Sequence, residues 1–239
     1  MDFLTLKQQQ PLVDKPKRYA IFTRGCFDCL HLGHFVLLTS FLVESSKILK
    51  CNLSDIDFYL SLASQDAEIA KGIKYHDTQD TRYQNLLNTK LLYNITVDRH
   101  TMPIFDTISS KMNCFCIGND QDSRTTFQTV IEKCHKLGVF VLKLPSKVSG
   151  ISSTIIRNRI KTFNEDTYVA RKNIESDLIF DEETRKNILL LKEVGIIDDS
   201  VLKYFNLDSN ARTRKMREVF LSSFHTKDER SSTTLYSNL

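Results

Sequence analysis

The sequence predicts an α/β protein: a Rossmann-like, doubly wound parallel sheet of about five strands with a C-terminal helical extension. Three observations carry this expectation. Short apolar, β-prone runs recur between residues 19 and 144, stretches with helical spacing separate them, and most glycines fall just past the ends of the runs. Buried strands alternating with helices are the pattern of a parallel sheet covered on both faces.

The elements follow in order. After a polar lead with Pro11 and Pro16, Tyr19 to Thr23 (YAIFT) reads as a buried strand. Gly33 to Ser46 carries Phe35, Leu37, Leu38, Phe41, Leu42 and Val43 at helical spacing, and Phe58 to Ala63 is the second strand. A helix is predicted around Thr81 to Leu92, a short strand at Ile95 to Val97, and a helix beginning near Pro103, a residue suited to a first helical turn. Cys114 to Ile117 is the fourth strand, Asp122 to Leu137 a helix stopped by Gly138, and Val139 to Leu144 the fifth strand. Ser152 to Ile160 then opens the last helix of this unit. Beyond it, Asp181 to Leu191 and Ser200 to Phe205 look helical, and the polar end is expected to be mobile. The expected organisation is a lead (1–18), a core domain (19–162) and a helical extension with a mobile end (163–239).

Composition excludes several classes. The chain of 239 residues is 41% hydrophobic and 26% charged, ordinary for a globular protein. A net charge of +4 suits polyphosphates but is slight for a dedicated nucleic-acid surface, so no nucleic acid is expected as partner. No uninterrupted apolar run approaches a membrane span and the start lacks a signal peptide's features, so a cytoplasmic protein is expected. Six cysteines without secretory signals read as reduced thiols. Cys26 and Cys29 have CxxC spacing, and Cys114 with Cys116 suggests a second pair. The apolar run CFCIG favours packing for Cys114 and Cys116, and Cys26 and Cys29 belong to the Gly25–His34 segment, so no protein zinc ligands are expected.

Ligands of such sheets bind beyond the carboxyl ends of the strands, so the segment after the first strand is the place to look. There Gly25 to His34 (GCFDCLHLGH) puts His31 and His34 three apart at a strand-to-helix turn. Free N–H groups at the helix start and two imidazoles are suited to phosphate charge. A second cluster, Gly150 to Ile160, opens a helix with Ser152, Ser153 and Thr154, hydroxyls that suit a triphosphate. Arg157 and Arg159 lie on different faces of it, so only one is expected at the ligand.

Gly25 to His34 resembles the GxFDxxHxGH motif, and Ile151 to Thr154 with Arg157 resembles the ISTT or ISST signature, of the cytidylyltransferase-like nucleotidyltransferase superfamily. The likeness covers about residues 19–160, in the expected order. By layout it is similar to glycerol-3-phosphate cytidylyltransferases and to the nucleotidyltransferase domain of ADP-heptose synthases. The resemblance implies a catalytic role for His31 and His34 at the NTP phosphates, and for Lys71 and Arg82 at the triphosphate or the acceptor phosphate. It implies nucleotide contacts from Gly25, Cys26, Phe27, Asp28, Gly33, Ile151, Ser152, Ser153, Thr154 and Arg157, with Gly118 and Asp120 near the nucleoside. Mg²⁺ is implied with the NTP phosphates.

The activity so implied is transfer of CMP from CTP to a phosphorylated alcohol or sugar, with release of pyrophosphate. One departure touches the base. Ser146 to Gly150 reads SKVSG where many cytidylyltransferases have RTxG, and the Ser-Ser-Thr triplet is also found in adenylyltransferases of the FAD, NAD, coenzyme A and ADP-sugar types. ATP is therefore the alternative donor, and a non-catalytic nucleotide-binding module is an alternative of another class. Dimers are common among such relatives, and the C-terminal helices offer a homodimer interface.

Overall fold

The computed structural model describes residues 18–65, 74–98, 111–119, 125–145, 148–175, 178, 181–205 and 207. The apolar runs become β1 (Tyr19–Gly25), β2 (Ile56–Ala63), β3 (Asn94–Asp98), β4 (Cys114–Gly118) and β5 (Phe140–Leu144). Between and after them lie α1 (Leu32–Leu49), α2 (Gln79–Leu87), α3 (Thr125–Lys136), α4 (Ser153–Phe163), α5 (Thr167–Glu175), α6 (Glu182–Glu193) and α7 (Asp199–Tyr204). A 3₁₀ turn, Leu53–Asp55, leads into β2.

The strands form one parallel sheet in the order β3-β2-β1-β4-β5. Chain order reverses between β1 and β4, which leaves a crevice beyond their carboxyl ends. Alternation along β4 shows how both faces are covered. Cys114 and Cys116 join Ile21, Leu60 and Leu62 in a core under α1, whereas Phe115 and Ile117 join Phe22, Val130, Ile131 and Cys134 under α3. The expected doubly wound fold is the observed one.

Helix α1 is the central element. Its 18 residues, of mean hydropathy 1.3, are long and apolar enough by length and composition to cross a membrane. Polar residues such as Glu44 and Lys47 break the run, which is why no continuous apolar stretch is seen in the sequence. Here the helix is a core element: Phe35, Val36, Leu38, Phe41, Leu42 and Val43 are buried against the sheet and the C-terminal helices. Burying side chains of this size contributes about 1.5–3 kcal/mol each.

Helices α5 to α7 share that core through Ala170, Ile188, Leu191, Ile197, Val201 and Phe205, and Phe205 stacks on Phe35 with centroids 4.4 Å apart. Asp181 caps α6 by accepting from Thr184 N. Helix α5 was not anticipated from the sequence. The helix expected near Pro103 lies outside the described residues.

Candidate functional site

The crevice is lined by the loop joining β1 to α1. Phe27 and Cys29 in this loop adopt left-handed backbone, φ 50° and 48°, although neither is glycine. Such conformations are disfavoured for residues with a side chain and persist only where neighbours hold them. Here the Phe27 ring packs edge-on against His34 and over Gly25, and Cys29 N donates to Asp77 Oδ2 at 3.0 Å. A Cβ on Gly25 would lie 2.7 Å from the Phe27 ring, so the close approach requires glycine there.

His31 is the N-cap of α1. Its Nδ1 accepts from Gly33 N at 3.1 Å, so the neutral ring carries its proton on Nε2. The His34 ring stacks on it with centroids 3.9 Å apart. Burial holds the His31 pKa well below the ordinary histidine value, with the neighbouring His34 and Arg171 adding to the effect. Burial likewise lowers His34 to about 4, against a smaller upward pull from Asp28. His34 as a residue is half-buried, and its Nδ1 is closed off without a partner among the described residues. At neutral pH the pair therefore presents two uncharged imidazoles, each able to give one N–H.

The helix start differs from expectation. The N–H groups of α1 that were to hold phosphate are already taken: Leu32 N donates to Glu175 Oε1 at 2.7 Å and Gly33 N to His31. His34 N and Phe35 N both return to His31 O. These four backbone N–H groups are engaged, and the imidazoles of His31 and His34 lie beside them.

Asp28 is buried and ties three segments together. Its carboxylate accepts from His76 N, from Asp77 N at 2.9 Å and from Arg157 Nη1 at 2.6 Å, while its carbonyl accepts from Ser153 Oγ at 2.6 Å. This brings the start of α4 against the β1–α1 loop. Ser152 caps α4 by accepting from Ile155 N, leaving the first-turn N–H groups of Ser153 and Thr154 beyond the helix's own bonding. Arg157 Nη2 also donates to Thr154 Oγ1, and Ile151 is buried beside Gly33. Arg159 turns away to pair with Glu165 at 2.8 Å, so the two arginines do diverge. Arg157 lines a cavity of about 550 Å³ with Lys74, Tyr75, His76 and Lys161.

Arg82 is wholly buried, and its Nη1 donates to the carbonyls of Cys26 and Ala63 at 2.9 and 2.8 Å. Its guanidinium lies over the Tyr75 ring, whose hydroxyl meets Cys26 Sγ at 2.9 Å. Arg82 thus braces the ends of β1 and β2. Gly118 ends β4 on the other side of the crevice, two residues past the pairing of Thr23 with Cys116. Lys71 and Asp120 lie outside the described residues.

The carboxylates of Asp28 and Asp77 lie with Cys29 Sγ within 4.8 Å of one another. Asp28 is occupied by Arg157 and two backbone N–H groups, and Asp77 by Cys29 N and Thr167 Oγ1. Burial, aided by the charges of Asp28 and Asp77, pushes the Cys29 thiol far up. Burial and the Asp28 charge also raise Asp77. Cys114 and Cys116 face Ser45 in the core, their sulfurs 3.8 Å apart.

Sequence reasoning passed over Asp77, Arg171 and Glu175. Asp77 carries no local signal, because its role comes from a loop 48 residues away. Arg171 and Glu175 are buried ions on α5, with Arg171 Nη1 on Leu30 O and Glu175 on Leu32 N. Their i,i+4 spacing was visible, but it is equally the spacing of an exposed helix pair.

No model of a known protein family matches the sequence, and no curated protein matches it. Among solved structures, the fold is similar to the lipopolysaccharide core biosynthesis protein from Thermoplasma volcanium, at 20% identity over 54% of this chain and 95% of that one, with a TM-score of 0.39. It is also similar to a macrolide-efflux protein from Streptococcus pneumoniae, at 18% identity over 61% of this chain and 52% of that one, with a TM-score of 0.42. Likeness at these values carries no weight for activity or for any site residue.

Proposed function

We propose that the chain is a nucleotidyltransferase that moves a nucleoside monophosphate from an Mg²⁺–NTP complex to a phosphorylated small molecule. The observation that carries this reading is the stacked pair His31 and His34 at the β1–β4 crevice, with the Ser153 and Arg157 end of α4 drawn to the same loop through Asp28. In the proposed step an oxygen of the acceptor phosphate attacks the α-phosphorus. A new P–O bond forms as the α–β anhydride bond breaks, and pyrophosphate leaves.

Such a reaction needs positioning and charge stabilisation more than covalent help. His31 Nε2–H and His34 donate to phosphoryl oxygens. The first-turn N–H groups of Ser153 and Thr154 and the Thr154 hydroxyl hold the departing phosphates, while the Ser153 hydroxyl ties α4 to the loop through the Asp28 carbonyl. Arg157, with Lys74, His76 and Lys161, gives the adjoining cavity a basic lining. Since Asp28 and Asp77 are engaged elsewhere, Mg²⁺ enters as the counter-ion of the NTP and belongs to the substrate. Arg82 serves here as a brace for the loop, and Lys71, Gly118 and Asp120 keep the roles implied by the motif.

CTP is the leading donor on the GxFDxxHxGH likeness. ATP is favoured by a separate observation, the Ser-Ser-Thr triplet preceded by SKVSG in place of RTxG. The core domain at 19–162, a cytoplasmic setting and a homodimer through the C-terminal helices belong to the same proposal. The test is a pyrophosphate-release screen of the four NTPs against phosphorylated alcohols, sugars and cofactor precursors. One NTP–acceptor pair with Mg²⁺-dependent turnover supports the reading, and release with none of them counts against it.

A further inference from the structure

Arg171 and Glu175 lie one turn apart on α5, 3% and 0% exposed. Two buried ions are a poor way to fill space, since an apolar pair of similar volume is often as stable or more so. What distinguishes this pair is where its polar atoms go. Glu175 Oε1 accepts from Leu32 N at 2.7 Å, and Arg171 Nη1 donates to Leu30 O at 3.1 Å. Leu30 and Leu32 are the two neighbours of His31.

The guanidinium is itself fixed. Its Nη2 donates to Tyr204 O at 2.8 Å, its Nε lies 3.5 Å from Glu175 Oε2, and the Tyr204 ring covers it at 4.2 Å. The peptide groups before and after His31 are therefore gripped from one rigid helix. With the backbone so held, Gly33 N meets His31 Nδ1 and leaves Nε2 as the donor. The Glu175 carboxylate also occupies the first N–H of α1, so an anion is directed to the imidazoles instead of the helix end.

Resting on the nucleotidyltransferase reading, we infer that Arg171 and Glu175 are a positioning pair that fixes the orientation and tautomer of His31, which makes α5 part of the active site. Neither residue touches the reacting atoms. Their effect passes through His31, and they matter for turnover more than for stability.

The test compares wild type with Arg171→Met/Glu175→Leu, which keeps the volume and removes every hydrogen bond of the grip, and with Glu175→Gln, which keeps an acceptor for Leu32 N. Nitrogen-15 NMR of the free protein's histidines reads the His31 tautomer without any substrate. Wild type should show a single Nε2–H form. The double variant should remain folded by thermal melting, lose that single form, and drop in kcat about a hundredfold, with a smaller change in KM for the NTP. Glu175→Gln should retain the tautomer and most of the turnover.

If the double variant fails to fold, Arg171→Lys takes its place. Lysine keeps the charge beside Glu175 but lacks the fork that reaches two carbonyls, so a mixed tautomer is expected. An unchanged Nε2–H form in a folded grip-less variant, or turnover lost only in proportion to the folded fraction, overturns the inference. A wild type that turns over no NTP instead removes the nucleotidyltransferase reading, and the tautomer comparison still decides the grip.

Discussion

Gly33 carries opposing demands at a single position. Alanine is the better helix former by about 1 kcal/mol, so local propensity favours Gly33→Ala. A Cβ there would stand 3.0 Å from His31 Cε1 and Nδ1, and the ring would have to move. The expected outcome is an unfolding free energy within about 1 kcal/mol of wild type, but turnover reduced about tenfold or more. Normal pyrophosphate release by the folded variant would show that the ring position is not critical. The lowered histidine pKa values give a second prediction. Above about pH 6.5 the imidazoles are neutral in both folded and unfolded chains and contribute no pH dependence. As pH falls below that, the unfolded rings take protons that native His34 refuses until about 4, so stability falls across the window. Urea midpoints measured from pH 7 to 4 should decline less steeply in His34→Gln than in wild type, and equal slopes would contradict the burial of this ring. The motif residues Asp28, His31 and His34 were legible in the sequence because their spacing is local. That Leu32 N and Gly33 N are already bonded was not, since one partner lies 143 residues away.

At the scale of elements, the strands and α1 were readable because their buried positions are apolar and periodic. Helix α5 was missed for the opposite reason: its buried residues are Ala170, Arg171 and Glu175, two of which a hydrophobicity pattern assigns to the surface. Arg82, to which the resemblance gives a phosphate role, is wholly buried on α2 with Nη1 on the carbonyls that follow β1 and end β2, partners that local sequence does not reveal. Arg82→Lys should therefore destabilise by about 2–4 kcal/mol, because lysine cannot reach both carbonyls and buries a less well satisfied charge. Urea unfolding with an unchanged m-value measures this. A change under about 0.5 kcal/mol would place Arg82 among residues without a structural role.

For the molecule as a whole, the sheet order puts the crevice where the two motifs converge, and the C-terminal helices complete the core over α1. Within the helical extension expected at 163–239, Phe205 stacks on Phe35 and Leu191 and Val201 are fully buried. Truncation after Asn164 should consequently give a protein that lacks a cooperative thermal transition, whereas truncation after Asn210 should keep the fold and residual transferase activity. A cooperative melt in the shorter protein would show that the first 164 residues fold without α5 to α7. The central claim concerns the histidine pair, and it is tested most directly by pyrophosphate release from Mg²⁺–NTP and a phosphorylated acceptor, measured for wild type beside His34→Ala with folding checked by circular dichroism. Removing one such donor should lower kcat about a hundred- to a thousandfold in a protein that stays folded. Turnover by folded His34→Ala equal to that of wild type would contradict the account.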